Sequence, residues 1–324
     1  MIARRAFLAS GLAVGAASAF AQTRAPVPRI AVLDWGPESG ADHLEAFKKG
    51  LRDDGLIDGR TVVVSYRFAG ENIARVNELA AEIVRTGADI IVAITTPAAH
   101  AAKRATSTIP IVFISGDAVG TGLVSNLARP DGNLTGVSVM LADLEARRLE
   151  LLRQAMPGLQ RVTYIGSSVD PATAGFVRNV EDASARMGVT LSVIKVEGPG
   201  QIDGALAEAA RNGAQAVILQ TLFTLSKAAA RQAAAQALAH RMPAIGSNPD
   251  FGRSGGLMSF GPLNSFSRQR AAALVARILA GAKPGDLAVE QPTKFQMIIN
   301  QKTARTLGIE IPVLVLAQAD EVIE

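Results

Sequence analysis

Residues 87–115 read GADIIVAITTPAAHAAKRATSTIPIVFIS, and this stretch decides the fold. An apolar run ends in two threonines and a proline, an alanine-rich segment follows, and a proline opens a second apolar run. A short apolar run of this kind predicts a buried strand, and proline just after threonine predicts the first turn of a helix. The stretch therefore predicts strand, helix and strand, which is the repeating unit of a parallel sheet.

The same alternation fills most of the chain. Upstream, RIAVLD (29–34) and TVVVSYRF (61–68) predict strands, and ARVNELAAEIVRTG (74–87) predicts an amphipathic helix. The pattern restarts beyond residue 140, where GAQAVILQTL (213–222) echoes GADIIVAITT (87–96). Valine and isoleucine runs between amphipathic helices are typical of parallel sheets covered on both faces. The sequence thus predicts an α/β protein with two doubly wound, Rossmann-like lobes.

The last third of the chain breaks the alternation. GGLMSFGPL (255–263) predicts a strand that follows the strand PAIGS (243–247) with no helix between them. A helix and a strand, TKFQMIIN (293–300), come after it, which suits a chain that crosses between lobes and forms a multi-strand hinge. The predicted limits are 1–21 for a signal peptide, 29–136 plus 262–292 for the N-terminal lobe and 137–261 plus 293–324 for the C-terminal lobe, with crossings near Gly136–Ser138, Phe260–Pro262 and Pro292–Lys294.

The first 21 residues differ in composition from the rest. MIARRAF is basic, LASGLAVGAASAF is a short apolar core, and AFA (19–21) fits the small-x-small cleavage rule, with Gln22 as the first mature residue. The apolar core is too short for a stable membrane span. The absence of cysteine excludes disulfides, thiolate metal sites and a lipid-anchored mature N-terminus. These features predict export to the bacterial periplasm by the Sec or twin-arginine route, with no membrane span after processing.

Charge and motifs disfavour nucleic-acid binding and catalysis. The formal net charge is +4 without a block of five like charges, whereas a nucleic-acid binder would show a basic stripe. The motifs HExxH and GxxxxGK[ST] are absent, and GTGLVS (120–125) resembles GxGxxG with its last glycine missing. The three histidines, His43, His100 and His240, do not have the spacing of a zinc site. We therefore predict a protein that is not an enzyme and that holds no metal and no cofactor.

In a doubly wound sheet, ligands bind beyond the carboxyl ends of the strands. The predicted ends are Asp34–Trp35, Thr95–Thr96 and Ser115–Asp117 in the first lobe and Ser167–Ser168, Thr221–Leu222 and Ser247–Asn248 in the second. They carry hydroxyls and amides with few charges, which is typical of a site that hydrogen-bonds a polar small molecule. The predicted ligand-binding residues are Asp34, Trp35, Thr95, Thr96, Ala98, Ala99, Asp117, Ser167, Ser168, Thr221 and Asn248.

The helix that follows Thr95 supplies the sharpest prediction. Thr96 suits the N-cap position and Pro97 the first helical position, which leaves the amides of Ala98 and Ala99 at a positive helix end. Such an end attracts a carboxylate. The alternative is that Thr96 only caps its own helix, whereas Thr95 has no capping role to perform.

Trp35 and two acidic residues each have two interpretations. The Trp35 ring could stack on a ligand, or it could pack against neighbouring loops as a lid. Asp34 and Asp117 could each bind an ammonium group. Asp117 could instead stabilise a turn with Gly116 and Gly120.

The second-lobe candidates also have an alternative role as caps. Ser167, Ser168 and Asn248 could bind the ligand or could stabilise a turn or a helix start. Asp170, which precedes Pro171, is predicted to be a helix N-cap rather than a ligand contact.

Six segments, taken in chain order, resemble a single family. They are TTPAAHAAKRATSTIPIVF (95–113), GLVSNLARPDGNLTGVS (122–138), LEARRLELLRQAMPGLQRV (144–162), GGLMSFGP (255–262), AGAKPGDLAVEQPTKFQMIINQKTARTLGIEIP (280–312) and ADEVIE (319–324). They closely resemble ABC transporter substrate-binding proteins of the tryptophan/tyrosine type. The resemblance covers nearly all of the mature chain. Two segments depart from the family pattern: GDAVG (116–120), with Ala118 in place of proline, and NPDFGRSGG (248–256).

The resemblance implies a type I periplasmic-binding-protein fold and the delivery of a small ligand to a membrane permease. We therefore expect the periplasmic substrate-binding component of an ABC importer, which captures a small polar ligand in the cleft between the lobes. An amino acid, and an aromatic one in particular, is favoured. The expected partners are this ligand and an ABC permease in the inner membrane, with no nucleic acid. The alternative is a ligand-sensing receptor or an uncharacterised enzyme on the same two lobes.

Overall fold

The computed structural model describes residues 27–130, 132–139 and 141–324. The predicted signal peptide, residues 1–21, lies outside the described residues. In the part that is described, no helix combines the length and the apolar character that a membrane crossing requires.

The described strands and helices alternate for most of the chain. The strands are β1 (Arg29–Asp34), β2 (Val63–Phe68), β3 (Ile90–Ile94), β4 (Ile111–Ser115), β5 (Leu134–Ser138), β6 (Arg161–Ser167), β7 (Thr190–Val196), β8 (Ala216–Leu219), β9 (Ala244–Gly246), β10 (Met258–Pro262), β11 (Phe295–Asn300) and β12 (Glu321–Ile323). The helices are α1 (Glu45–Asp53), α2 (Ile73–Arg85), α3 (Thr96–Ala105), α4 (Leu141–Ala155), α5 (Thr173–Met187), α6 (Ile202–Arg211), α7 (Lys227–Ala239), α8 (Pro249–Arg253), α9 (Asn264–Leu279), α10 (Gln301–Leu307) and α11 (Val313–Leu316).

The first sheet is parallel and has the strand order β2-β1-β3-β4-β5. Alternate residues of its strands are buried on opposite faces. Leu33 and Ile91 belong to the cluster that α2 and α3 cover, whereas Val32 and Val92 belong to the cluster that α1 and α9 cover. The α9 helix comes from a late part of the chain, so the first lobe is built from two separate segments.

The second sheet has the strand order β12-β11-β10-β9-β8-β6-β7, and only its β10–β11 pair, among the described strand pairs, is antiparallel. Tyr164 and Ile218 lie in the cluster that α4 and α5 cover, and Ile165 and Val217 lie in the cluster that α6 and α7 cover. Each lobe is therefore a doubly wound sheet with two helical layers. This arrangement positions the carboxyl ends of the central strands of both sheets at a common cleft.

One sequence prediction is wrong, because β9 and β10 are separated by a helix, α8. Asn248 caps this helix by accepting a hydrogen bond from the amide of Asp250, and Pro249 occupies the first turn. Five residues are too few to show an amphipathic period, so only the Asn-Pro pair signals the helix in the sequence.

The chain passes between the lobes where β5 leads into α4, where β10 leads into α9, and ahead of β11. Glu290 still belongs to the first lobe, since its amide donates to the Gly136 carbonyl at 2.9 Å and its carbonyl accepts from the Ser138 amide at 2.9 Å. Ser138 pairs within the first sheet and Pro262 within the second. The predicted lobe boundaries at 137 and 262 therefore fall inside β5 and β10. The limits as a whole stay a prediction.

A charged pair lies inside the second lobe, on α4. Glu145 and Arg148 are both fully buried, and Arg148 Nη1 lies 2.7 Å from Glu145 Oε1. This contact has the distance but not the angles of a hydrogen bond. Arg148 Nε donates to the Phe260 carbonyl on β10 at 2.8 Å. Burial raises the pKa of the Glu145 carboxyl, and the charge of Arg148 partly opposes this rise.

Candidate ligand-binding site

A cavity lies between the two lobes, at the carboxyl ends of β3, β4 and β8. Its empty volume, which includes the solvent at its mouth, is about 550 Å³. The cavity is lined by Ile94, Thr95, Thr96, Ile114, Ser115, Gly116, Val139, Asn264, Ser267 and Arg268 from the first lobe and its connections, and by Asp170, Phe176, Gln220, Thr221, Leu222 and Leu225 from the second. Three of the strand ends that the sequence predicts, those at 95–96, 115–117 and 221–222, contribute to this lining.

Three buried hydroxyl groups of this lining stand out. They are the Oγ1 atoms of Thr95 and Thr221 and the Oγ atom of Ser267, and none has a hydrogen-bond partner among the described residues. Buried polar atoms in native proteins almost always have a partner, and leaving one without costs about 1–3 kcal/mol. Because these three atoms come from both lobes and border one cavity, a polar ligand held there would satisfy all three.

Thr95 has an unusual backbone conformation. Its φ of 90° and ψ of 160° lie in a region that is essentially restricted to glycine. Thr95 and not Thr96 occupies the N-cap position of α3, and its side chain makes no capping hydrogen bond. The predicted cap at Thr96 is therefore wrong by one residue. The strained turn places the Thr95 hydroxyl at the cavity instead of on its own helix.

Thr96 connects two strand ends. Its Oγ1 lies 3.1 Å from Ser115 Oγ and accepts a hydrogen bond from the Gly116 amide at 3.1 Å. The beginning of α3 is thereby tied to the loop after β4. Thr96 lines the cavity, but its hydroxyl already has partners within the protein.

The free backbone amides that the sequence predicts at the start of α3 are only partly present. The Ala99 amide donates to the Thr95 carbonyl at 3.0 Å, so it is engaged in the first turn of α3. Ala98 lies in that first turn, where helix geometry provides no intrahelical acceptor for its amide. Both alanine side chains are buried in the cluster beneath α3 and do not line the cavity.

Asp170 is the acidic residue of the cavity. Its Oδ1 accepts from the Ala172 amide at 3.0 Å and its Oδ2 accepts from Gln220 Nε2 at 2.8 Å. Gln220 Oε1 in turn accepts from the Ser167 amide and the Thr173 hydroxyl, which fixes the orientation of the Gln220 amide. Burial raises the pKa of Asp170 from 3.8 to about 6, although both hydrogen bonds act to lower it.

The sequence predicts Asp170 as a helix N-cap, but Ala172 holds that position in α5, and Asp170 instead lines the cavity. It bonds the turn before α5 and is buried at the ligand-facing end of that helix. The Asp-Pro pair signals the turn, but nothing local signals that the carboxylate is aimed at a cleft.

Arg268 is the basic residue of the cavity and lies on α9. Its side chain is buried, and its Nη1 donates to the Asn264 carbonyl at 3.3 Å. Arg268 and Asp170 line one cavity from opposite lobes. The cavity therefore carries a positive and a negative group from opposite lobes, together with buried hydroxyls.

Neither acidic residue that the sequence favours as an ammonium ligand lines the cavity. Asp34 is buried and accepts from the Gly36 amide at 2.8 Å. Asp117 accepts from the Gly120 amide at 2.8 Å, which is the alternative turn role that the sequence allowed. In both cases the carboxylate bonds the turn that follows its strand, and the acidic residue that lines the cavity is Asp170.

Trp35 is 1% exposed and belongs to the apolar cluster under α2 and α3. It does not line the cavity. The prediction that its ring stacks on the ligand therefore has no support from the geometry. Its position after β1 is as predicted, but the side chain turns into the lobe.

Two of the three remaining second-lobe candidates have structural roles, and the third is exposed. Ser167 Oγ accepts from the Val169 and Asp170 amides at 3.2 Å each, so it holds the turn that carries Asp170. Ser168 is exposed on the surface. Asn248 caps α8. None of the three serves as a cavity wall.

Two histidines can be placed relative to the cavity, and neither lines it. His100 is half-buried on α3, where burial lowers its pKa. His240 Nε2 lies 2.9 Å from Asp203 Oδ1 at the far end of α7. Across the described ranges, no three His, Asp or Glu side chains gather as metal ligands would.

Comparison with solved structures confirms the predicted two-lobed fold. A conserved domain protein from Vibrio cholerae is 26% identical, with a TM-score of 0.85 and coverage of 91% of this chain and 99% of that one. An ABC domain in complex with L-Trp from Streptococcus pneumoniae is 24% identical, with a TM-score of 0.83 and the same coverage of both chains. The neighbours are type I periplasmic binding proteins.

Sequence comparison confirms the predicted family. A tyrosine-binding protein from Clostridioides difficile (strain R20291) is 25% identical over 273 residues, which are 82% of this chain and 76% of the relative. The sequence model of the family described as ABC transporter substrate binding protein matches residues 37–323. The chain therefore belongs to the ABC transporter substrate-binding protein family.

Proposed function

We propose that this chain is the periplasmic substrate-binding component of an ABC importer and that it captures a free amino acid, preferentially an aromatic one. The ligand occupies the cavity between the lobes and is delivered to a permease in the inner membrane. The chain is not an enzyme in this proposal, in keeping with a family of substrate-binding proteins. Residues 1–21 direct its export to the periplasm.

The polar lining of the cavity is the main observation that supports the proposal. An amino acid at neutral pH has a carboxylate and an ammonium group on one carbon. Arg268 offers a positive charge from the first lobe and Asp170 a negative charge from the second. The hydroxyls of Thr95, Ser267 and Thr221 have unused hydrogen-bonding capacity at the same cavity. This set is complementary to a zwitterion, which a sugar or a simple anion would not match.

The apolar lining supports an amino acid with a large apolar side chain. Six such residues face the cavity, namely Ile94, Ile114, Val139, Phe176, Leu222 and Leu225. Phe176 is the aromatic member and offers an edge or face to a ligand ring. The relatives named above, one a tyrosine-binding protein and one solved with L-Trp, make an aromatic ligand the first choice.

The two lobes meet around the cavity. Leu222 of the second lobe belongs to the same buried cluster as Trp35 and Ala98 of the first. A ligand that contacts Arg268 and Asp170 together favours this closed arrangement over a separated one. Permease recognition of the closed form would then couple ligand capture to transport.

A ligand screen by thermal shift and calorimetry tests the proposed function. L-Tyrosine, L-tryptophan, L-phenylalanine and L-leucine are compared with D-glucose and with the decarboxylated amine tyramine. A ligand at 100 times its dissociation constant stabilises the protein by about 2.7 kcal/mol, and we expect this from at least one aromatic amino acid and not from tyramine or glucose. If all four amino acids leave the melting temperature unchanged, the amino-acid assignment is wrong.

Replacing Thr95 should weaken ligand binding without lowering the stability of the protein. Thr95→Ala removes the hydroxyl and keeps the strained backbone, so we expect about fivefold weaker amino-acid binding. Thr95→Gly also relieves strain of about 1–3 kcal/mol, which exceeds the cost of about 0.5–1 kcal/mol for an added glycine. Thr95→Gly should therefore bind weakly but be at least as stable as the wild type. Calorimetry and urea unfolding measure the two effects.

Thr306→Ala, at an exposed position on α10, serves as the matched control and should change neither quantity. Normal amino-acid binding by Thr95→Gly would remove Thr95 from the site.

A further inference from the structure

A second space adjoins the cavity on the side of α1 and α8. Its empty volume is about 1110 Å³, and it is lined by the charged residues Glu45, Lys227, Asp250 and Arg253 among others. The cavity and this outer space share two wall residues, Leu225 and Asn264. These two residues, which we call the partition, border both the apolar, hydroxyl-lined cavity and the charged outer space.

The partition is assembled from both lobes. Leu225 follows β8 in the second lobe, and Asn264 is the first residue of α9, which packs on the first sheet. Leu225 is the apolar half of the partition, and it faces charged groups on its outer side. Its side chain is half-buried, which fits a wall between an interior and solvent.

Asn248 holds Leu225 in place. Its Nδ2 donates to the Thr224 carbonyl at 2.7 Å and to the Leu225 carbonyl at 3.1 Å. Its Oδ1 accepts from the Asp250 amide at 2.9 Å at the start of α8. All hydrogen-bonding groups of this buried amide are directed at backbone groups, so the Leu225 backbone is anchored to α8 and its side chain cannot withdraw freely. Asn248, predicted from the sequence as a ligand contact, is instead a positioning residue for Leu225.

We propose that Leu225 determines ligand specificity by limiting the length of the ligand to a single amino acid. The inference rests on the proposed function and deepens it. A dipeptide that extends from the cavity toward the outer space meets the Leu225 side chain, which blocks it. Beyond the partition, the polar end of a longer ligand would meet water and the charged residues of the outer space.

The test compares wild type, Leu225→Ala and Leu263→Ala by calorimetry with L-tyrosine, L-tyrosylglycine and glycyl-L-tyrosine. Leu263 lines the outer space but not the cavity, so its substitution is the matched control. The two dipeptides extend the ligand at opposite ends. We expect Leu225→Ala to bind at least one dipeptide at least tenfold more tightly than the wild type does. Leu263→Ala should behave as the wild type with all three probes.

The inference is overturned if Leu225→Ala, shown to be folded by circular dichroism, gains no dipeptide affinity, whether or not it still binds L-tyrosine. It is also overturned if Leu263→Ala shows the same gain. A wild type that binds no amino acid in the screen contradicts the proposed function instead. A gain of dipeptide binding by Leu225→Ala would support the partition even in that case.

Discussion

Asp170→Asn is expected to weaken amino-acid binding by about thirtyfold or more and to remove a pH dependence from the stability of the unliganded protein. Removing one partner of a buried charge pair costs about 2–5 kcal/mol. In the proposed complex the lost partner is the carboxylate that faces the ligand ammonium, while the amide that replaces it keeps the size of the side chain. The affinity is measured by calorimetry at pH 7.5.

The stability effect follows from the raised pKa of Asp170. Its value of about 6 in the folded protein lies above the ordinary value of 3.8, so the folded state holds a proton more tightly than the unfolded chain. The stabilising contribution is fully present below pH 3.8 and is lost as the pH rises through about 6. It amounts to about 3 kcal/mol. Urea unfolding of the unliganded wild type should show this loss, and the variant should not.

Ligand binding should show the opposite pH trend. Only the ionised Asp170 attracts an ammonium group, so the affinity of the wild type should fall about tenfold per pH unit below about 6. Asp117→Asn is the control, because Asp117 is used by its own turn and should change neither affinity nor this profile. An Asp170→Asn protein that binds as tightly as the wild type would exclude the proposed ammonium site.

Arg148→Met is expected to lower the free energy of unfolding by about 3–5 kcal/mol. The substitution leaves the buried carboxyl of Glu145 without its counter-charge and the Phe260 carbonyl without its donor. The Arg148 pair has a short distance but poor angles. It therefore recovers only part of the cost of burying two charges. Replacing both residues of the pair should therefore lower the free energy of unfolding far less than replacing Arg148 alone.

The double variant Glu145→Leu/Arg148→Met makes this comparison. Replacing a buried ion pair by apolar residues of similar volume is often neutral or stabilising by about 1–4 kcal/mol. We expect the double variant to recover most of the stability that Arg148→Met loses. The midpoints of urea unfolding of the wild type, Arg148→Met and the double variant measure these differences in stability. A double variant as unstable as the single one would mean that the pair itself stabilises the lobe.

The sequence was sufficient for the fold class because most elements have a strong local signal. The apolar runs of β3 and β4 predict buried strands, and the Thr-Thr-Pro segment marks the start of α3 to within one residue. The α8 helix was missed because it has only five residues. The sequence also predicted the strand ends that meet at the cleft, and Thr95, Thr96 and Thr221 do line the cavity.

The charged part of the site could not be predicted in this way. Arg268 sits in the middle of a helical pattern, and its place at the cavity depends on α9 returning to the first sheet after the chain has built the second lobe. Asp170 gives only the signal of a turn. Trp35 follows a strand end, as a ligand contact would, but the direction of its side chain is decided by the cluster under α2 and α3. Such directions depend on tertiary packing, which a local pattern does not contain.

The return of α9 also affects the order in which the protein can fold during synthesis. One face of the first sheet is covered by Ala271, Ala272, Leu274 and Val275 of α9, and this helix lies so close to α1 that a Cβ on Gly50 would be 2.8 Å from the Ala272 Cβ. Those residues are synthesised after the whole of β6–β10. A nascent chain can therefore complete most of its second lobe while the earlier-made first lobe still exposes Val32, Val92 and their neighbours to water. The contacts that finish the first lobe are far apart in sequence and slow to form. The lobe that is translated first therefore cannot be completed until most of the second lobe has been translated.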